Sequence, residues 1–183
     1  MSRLNQVNPD QAEGKAKDLL DIVKSKLGAA INLTQVMANR PAALEGYLQF
    51  SGALAGGAFS PKEREAIALA VAGVNGCEYC ASAHTFISKN LKVDDAESVR
   101  NLRGESNDAR TQAILTLVRR IAENRGHVSD ADIAAARASG LDDGDITEAV
   151  AQVALNTFTN YLNNVAKTDV DFPVVQLTGR EAA

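Results

Sequence analysis

Tryptophan is absent from this 183-residue chain, and aromatic residues make up only 4% of it. A core built without large rings must rely on alanine, leucine and valine, which lets helices approach closely but buries less area per residue. Contacts between subunits would add to that area, so a homo-oligomer is expected. No segment approaches the ~20 continuous apolar residues of a membrane span. The first twenty residues, MSRLNQVNPDQAEGKAKDLL, lack the apolar stretch of a signal peptide. A cytosolic setting is the default expectation. The formal net charge of -4 is spread without like-charge runs, which gives no electrostatic basis for nucleic acid or an anionic membrane as a partner. No sustained period-two alternation marks a strand, and there is neither a Gly-rich phosphate loop nor a dinucleotide fingerprint. No strong linker or solenoid repeat divides the chain, so residues 1–183 read as one domain.

What is present is helical periodicity. Apolar residues make up 45% of the chain, enough for a proper core. Residues 9–27 place Ala12, Ala16, Leu19, Leu20, Val23 and Leu27 at three- and four-residue spacing, closed by Gly28. Pro41 opens a helix through Leu44, Leu48 and Leu54 to Gly56-Gly57. Ser60-Pro-Lys-Glu63 is a capping box, and the helix that follows is apolar nearly all round from Ala66 to Val74. That makes it a central, buried helix. Asn75-Gly76 breaks it. Further helices are expected from about Cys77 to Asn90, from Asp94 or Asp95 through Leu102, over 106–124, from Ser129 to Gly140, and over 145–167. The fold class is therefore all-α, with about six to eight helices. Residues 1–30 form an N-terminal helical unit and 60–125 the core. The tail, 174–183 above all, reads as extended or flexible.

Cysteine is nearly absent too, which sharpens the two that exist. Cys77 and Cys80 stand three residues apart in GCEYCASAH, with His84 four further on. At ~100° per residue these three positions share roughly one quadrant of a helix. Gly76 allows a sharp entry, placing the pair in the first turn, where free amides and the helix dipole favour a thiolate. His84 can carry a proton near neutral pH. Cys80 as the attacking thiolate and Cys77 as the partner that closes a disulfide is one division of labour; the sequence supports the reverse as well.

A carboxylate comes from the preceding helix. Glu63 is accounted for by the capping box. Glu65 has no local partner and enters a stretch that reads as buried, where a carboxylate must be hydrogen-bonded or protonated. A proton relay with the thiols would use it. Tyr79, between the cysteines, reads as a wall of the site or as packing. Glu78 points to solvent. His127, beside Gly126 at a helix end, reads as a cap. The rival for Cys77, Cys80, His84 and Glu65 is a zinc site, which the lack of a second cysteine pair disfavours.

The stretch EAIALAVAGVNGCEYCASAH, Glu65 to His84, resembles the carboxymuconolactone decarboxylase superfamily and, within it, the alkylhydroperoxidase AhpD-like branch with its peroxidase-related members. The later NTFTNYLNNVAKTDVDFP is similar to the longer members of that branch. The resemblance runs from about residue 30 to Pro173. It implies an all-helical trimer or hexamer and a thiol-dependent peroxidase that reduces a hydroperoxide through an internal disulfide. It implies no bound cofactor or metal, the electrons coming from a small-molecule or protein thiol, or a lipoamide-bearing protein. Carried over by position, Glu65, Cys77, Cys80 and His84 are the relay. The member best known for peroxide reduction has histidine where this chain has Tyr79, and longer relatives often have histidine in place of Asn164. The decarboxylase branch lacks the cysteine pair, so lactone chemistry is not implied. The alternatives are a general thiol–disulfide oxidoreductase or a redox sensor without turnover.

Overall fold

The computed structural model describes residues 1–177. Nine helices and no strand are found among them. They are α1 (Gly14–Leu27), α2 (Asn32–Met37), α3 (Pro41–Leu54), α4 (Pro61–Asn75), α5 (Glu78–Asn90), α6 (Asp95–Leu102), α7 (Ala109–Glu123), α8 (Asp130–Ala138) and α9 (Asp143–Ala166). The all-α class holds. The extra element is α2, whose single turn and a half is too short to show periodicity.

α4 is the axis of the molecule, packing against α5, α6, α7 and α9. Every residue from Ala66 to Ala72 is buried, as a run without a polar stripe requires. Fully burying side chains such as Ile67 and Leu69 contributes ~1.5–3 kcal/mol each. The helix starts as its sequence dictates. Glu63 N–H donates to Ser60 Oγ at 3.3 Å, and Ser60 N–H donates to Glu63 Oε2 at 2.7 Å. Near its other end, a Cβ on Gly73 would lie 2.0 Å from the Leu102 carbonyl oxygen. Only glycine lets α4 and α6 come this close.

Two apolar clusters flank this axis. One joins α1, α2 and α3 to the cysteine helix through Leu20, Val23, Leu44, Ala72 and Ala81. The other joins α4, α7, α8 and α9 through Ile67, Val71, Ile114, Val118 and Leu141.

Helix starts differ from the periodic reading where side-chain oxygens accept from backbone amides ahead of the first turn or within it. α1 begins at Gly14, because Asn8 Oδ1 accepts from Asp10 N–H and holds the residues before it in a turn. α7 begins at Ala109, capped by Asp108, which accepts from Thr111 N–H at 2.8 Å. α9 begins at Asp143, because Asp142 and Asp145 form a reciprocal capping box. Asp145 is thus the third residue of the helix and not its opening.

α9 is amphipathic in the opposite sense to a surface helix. Gln152, Asn156, Thr159, Asn160 and Asn163 are buried, while Val150, Phe158, Tyr161 and Val165 are 41–61% exposed. After α9 the chain runs back across α5. Val175 N–H donates to Ser82 Oγ at 2.9 Å, and Phe172 packs on Tyr79 and Phe86. Residues 178–183, the rest of the tail read as flexible, lie outside the described residues.

Candidate active site

The site is built at the junction of α4 and α5. Gly76 closes α4 in the left-handed conformation, φ 63° and ψ 41°, which is cheapest for glycine. The chain then reverses, and Cys77 becomes the N-cap of α5. Its Sγ accepts from the Cys80 backbone N–H at 3.3 Å. The thiol takes the place that serine or aspartate oxygen usually fills at a helix start. Cys80 sits in the first turn, where the dipole favours an anion.

The two sulfurs are not equivalent. Cys77 is fully buried. Cys80 is 2% exposed and lines a cavity of about 490 Å³ together with Glu65, His84, Tyr47, Tyr79 and Phe172. The charge follows the geometry. Hydrogen bonding from the Cys77 thiol pulls the Cys80 pKa below the ordinary cysteine value, against the effect of burial, with further help from His84 charge and from Asn163 and Asn160. The same thiol–thiol bond, then burial and the Cys80 charge, push Cys77 up. A single thiolate at Cys80, with Cys77 as a protonated donor, is the state this pair favours.

His84 and Glu65 meet one turn away. His84 Nδ1–H donates to Glu65 Oε2 at 2.7 Å, with both side chains about one-fifth exposed at the cavity wall. Burial works against the imidazolium, but Glu65 charge, its hydrogen bond and the Cys80 thiolate outweigh it, and the His84 pKa is raised. The carboxylate therefore fixes the ring and keeps it a proton source above its usual range.

Tyr79 forms part of the wall. Leu33 N–H donates to its hydroxyl at 3.2 Å, and its ring meets Phe172 edge-on at 5.7 Å. Burial, followed by hydrogen bonding to Asp171, pushes its pKa well up, so it stays a neutral phenol. Asn164 is elsewhere: its Nδ2 donates to the Asn75 carbonyl at 3.0 Å and ties α9 to the end of α4. Glu78 and His127 are both exposed.

Three contributors lie outside the cysteine motif. Asn163 Nδ2 donates to Cys80 Sγ at 3.3 Å. Asn160, one turn earlier, is completely buried. Tyr47 of α3 faces the thiolate and Glu65; burial first, then those two charges, push it up to about 12, against a hydrogen bond to Ser51. The sequence carried a signal for the asparagines, namely polar residues at 152, 156, 160 and 163 on one helix face. Tyr47 gave none beyond its place near the apolar stripe of α3.

No group of three His, Cys, Asp or Glu side chains among the described residues converges so as to hold a metal ion.

Residues 41–105 match the family model described as "Carboxymuconolactone decarboxylase family". That span runs from the first residue of α3 to just past α6, and it contains both cysteines, Glu65 and His84. Among solved structures, a peroxidase-related protein from Ralstonia eutropha JMP134, described as an alkylhydroperoxidase AhpD core, is 22% identical. It superimposes with a TM-score of 0.83 over 93% of this chain and 92% of that one. The chain has the AhpD-like fold. A second peroxidase-related protein, from Silicibacter sp. TM1040, is also 22% identical, with a TM-score of 0.80 over 92% of this chain and 91% of that one. The debrominase Bmp8, in complex with 2,3,4-tribromopyrrole, is 16% identical, with a TM-score of 0.76 over 93% and 94%. No curated protein matches the chain. The AhpD-like resemblance read in the cysteine motif is thus borne out by the family match and by the fold. Among the described residues no helix is long and apolar enough to cross a membrane.

Proposed function

We propose that this AhpD-like chain is a thiol-dependent peroxidase that reduces hydroperoxides through a Cys77–Cys80 disulfide cycle. The observation that carries the reading is the placement of Cys80 alone of the two sulfurs on the cavity, beside an ion-paired His84–Glu65 couple. A thiolate facing a cavity, a second thiol hydrogen-bonded behind it and a proton source one turn away are the parts a peroxide-reducing dithiol needs.

The reaction balances with these parts. The Cys80 thiolate attacks one peroxide oxygen, the O–O bond breaks, and the departing alkoxide takes a proton from His84. Cys80 is left as a sulfenic acid. The Cys77 sulfur then attacks Cys80 Sγ, an S–S bond forms, and the hydroxyl leaves as water with the Cys77 proton. An external dithiol, small or lipoamide-bearing, returns the pair to thiols by two exchange steps. The depth of Cys80 favours a small peroxide over a protein disulfide as oxidant, which separates this reading from a general thiol–disulfide oxidoreductase. Turnover separates it from a redox sensor. No bound cofactor enters the cycle, and a cytosolic setting would keep the pair reduced between turnovers.

A homo-oligomer, a trimer or hexamer, belongs to the same reading. The exposed row Val150, Phe158, Tyr161 and Val165 on α9 supports it, since a monomer leaves this row in water.

The test is thiol-dependent consumption of an organic hydroperoxide by the wild type and by Cys80→Ser. Loss of turnover in the variant, with an internal disulfide found by mass spectrometry in the oxidised wild type, is expected. Equal rates in the two proteins would sink the assignment.

A further inference from the structure

The inward face of α9 presents asparagines to a sulfur where an aliphatic face would ordinarily pack. Asn163 Nδ2 is 3.3 Å from Cys80 Sγ. Asn160 Oδ1 accepts from Asn75 Nδ2 at 3.0 Å, which fixes its amide plane and leaves Nδ2 as the free end. That Nδ2 is a buried donor with no partner of its own among the described residues. Buried amides in this condition are costly unless something else satisfies them. A neutral thiol is a poor acceptor. A thiolate accepts several strong, charge-assisted hydrogen bonds.

We infer that Asn163 and Asn160 form an amide cradle for the Cys80 anion, with Asn75 orienting the second amide, and that the three act as positioning residues. The cradle stands behind the sulfur, because the cavity is lined by Gln152, Asn156 and Thr159 of α9 but by neither Asn160 nor Asn163. It therefore holds the nucleophile without occupying the approach of the substrate. The inference rests on Cys80 as the attacking thiol. The groups that also face Cys80 are Cys77 and His84 from the start and body of α5. Tyr47 of α3 and Tyr79 of α5 feel its charge, and Glu65 of α4 acts through His84. What α9 adds is neutral donors. These lower the energy of the anion without setting a second fixed charge beside it.

The test reads the thiol and not the turnover. In a Cys77→Ser background, which retains a hydroxyl donor and leaves one cysteine, the pH dependence of iodoacetamide alkylation reports the Cys80 thiolate. Asn163→Leu is expected to slow alkylation at pH 6 about tenfold, the loss of one hydrogen bond to a charged group. Asn160→Leu should slow it severalfold. Asn163→Asp, which keeps the shape but exchanges donor for acceptor, should slow it at least as much as leucine. A role in packing alone predicts a lower Tm for the leucine variants with an unmoved alkylation profile. An unmoved profile in folded Asn163→Leu and Asn163→Asp, or faster alkylation at pH 6 in either, overturns the cradle. Should those variants not fold, Asn75→Ala, at the half-exposed end of α4, tests the same chain of contacts: a slower alkylation supports it and an unchanged one overturns it. If the profiles shift while Cys80→Ser still consumes peroxide, the peroxidase reading fails and the cradle stands.

Discussion

His84 Nδ1 lies 2.7 Å from Glu65 Oε2, linking the cysteine helix to the central helix through one charge-assisted hydrogen bond. The pair explains why Glu65 can sit at the edge of the buried face of α4, and it sets the histidine above its ordinary pKa, Glu65 outweighing the opposing effect of burial. A folded-state value above the unfolded one means that the contribution to stability is fully present below the unfolded histidine value. It is lost as pH rises through the folded value. Glu65→Gln is expected to return the His84 titration, followed by NMR, toward or below ~6.5. It should also remove that part of the acid-side stability in urea titrations. A histidine that titrates unchanged in the variant refutes the coupling.

The asymmetry of the sulfurs predicts asymmetric labelling. Cys80 lines the cavity and is shifted down by the Cys77 thiol bond, against burial. Cys77 is shifted up by the same bond and by burial. At neutral pH a small alkylating agent should modify Cys80 first, with Cys77 following only after unfolding, as read by peptide mass spectrometry. The pH window follows from the downward shift of Cys80: reactivity is present above the lowered folded value, while the stability the thiolate contributes is fully present above the unfolded cysteine value of ~8.5 and is lost as pH drops through the lowered folded value. Preferential labelling of Cys77 would reverse the roles assigned to the pair.

Phe172 touches both Tyr79 and Phe86, at ring separations of 5.7 and 5.8 Å, and lines the cavity. The segment after α9 is thereby the roof of the site. Phe172→Ala should cost ~1–3 kcal/mol in chemical denaturation and raise KM for a bulky hydroperoxide more than for hydrogen peroxide. Equal effects on the two substrates would mean that the ring only packs.

Helix packing offers a test that leaves the chemistry aside. A Cβ on Gly73 would meet the Leu102 carbonyl at 2.0 Å, and backbone atoms cannot move away as a side chain can. Gly73→Ala is expected to destabilise the protein by ~1–3 kcal/mol. A melting temperature equal to wild type would show that α4 and α6 have room to separate.

The parts of this molecule that were legible in its sequence are those written locally. Ser60 and Glu63 announced α4, Gly76 its end, and the register of Cys77, Cys80 and His84 their common origin on one helix. Glu65 was found by asking which of two glutamates lacked a local partner, and the structure supplies His84 as that partner. The parts that stayed hidden depend on what lies across from a residue. Asn160 and Asn163 share one helix face with Gln152 and Asn156, a pattern present in the sequence, but a polar face is ordinarily read as the solvent side and here it turns inward. Tyr47 is brought to the site by the docking of α3. Cys77 belongs to the motif, yet its backbone is the cap and not the helix, so sequence spacing alone placed it nearer the shared face than it is.

The outward face of α9 yields the last test. Val150, Phe158, Tyr161 and Val165 recur at spacings of eight, three and four residues, so they line one side of the helix. Each is 41–61% exposed while the amides behind them are buried. A chain gains nothing from an apolar row in water opposite a polar row in its core, unless another surface covers the apolar one. A second copy of the chain can do so without any further component, which agrees with a core too poor in large aromatic side chains to bury much area alone. Phe158→Glu combined with Tyr161→Glu places two like charges in that row and should shift the species seen by light scattering from oligomer to monomer. The Cys80 alkylation profile should be kept, because neither side chain lines the cavity. A wild type that is monomeric at micromolar concentration, or a double variant that assembles as wild type does, would remove α9 from the interface.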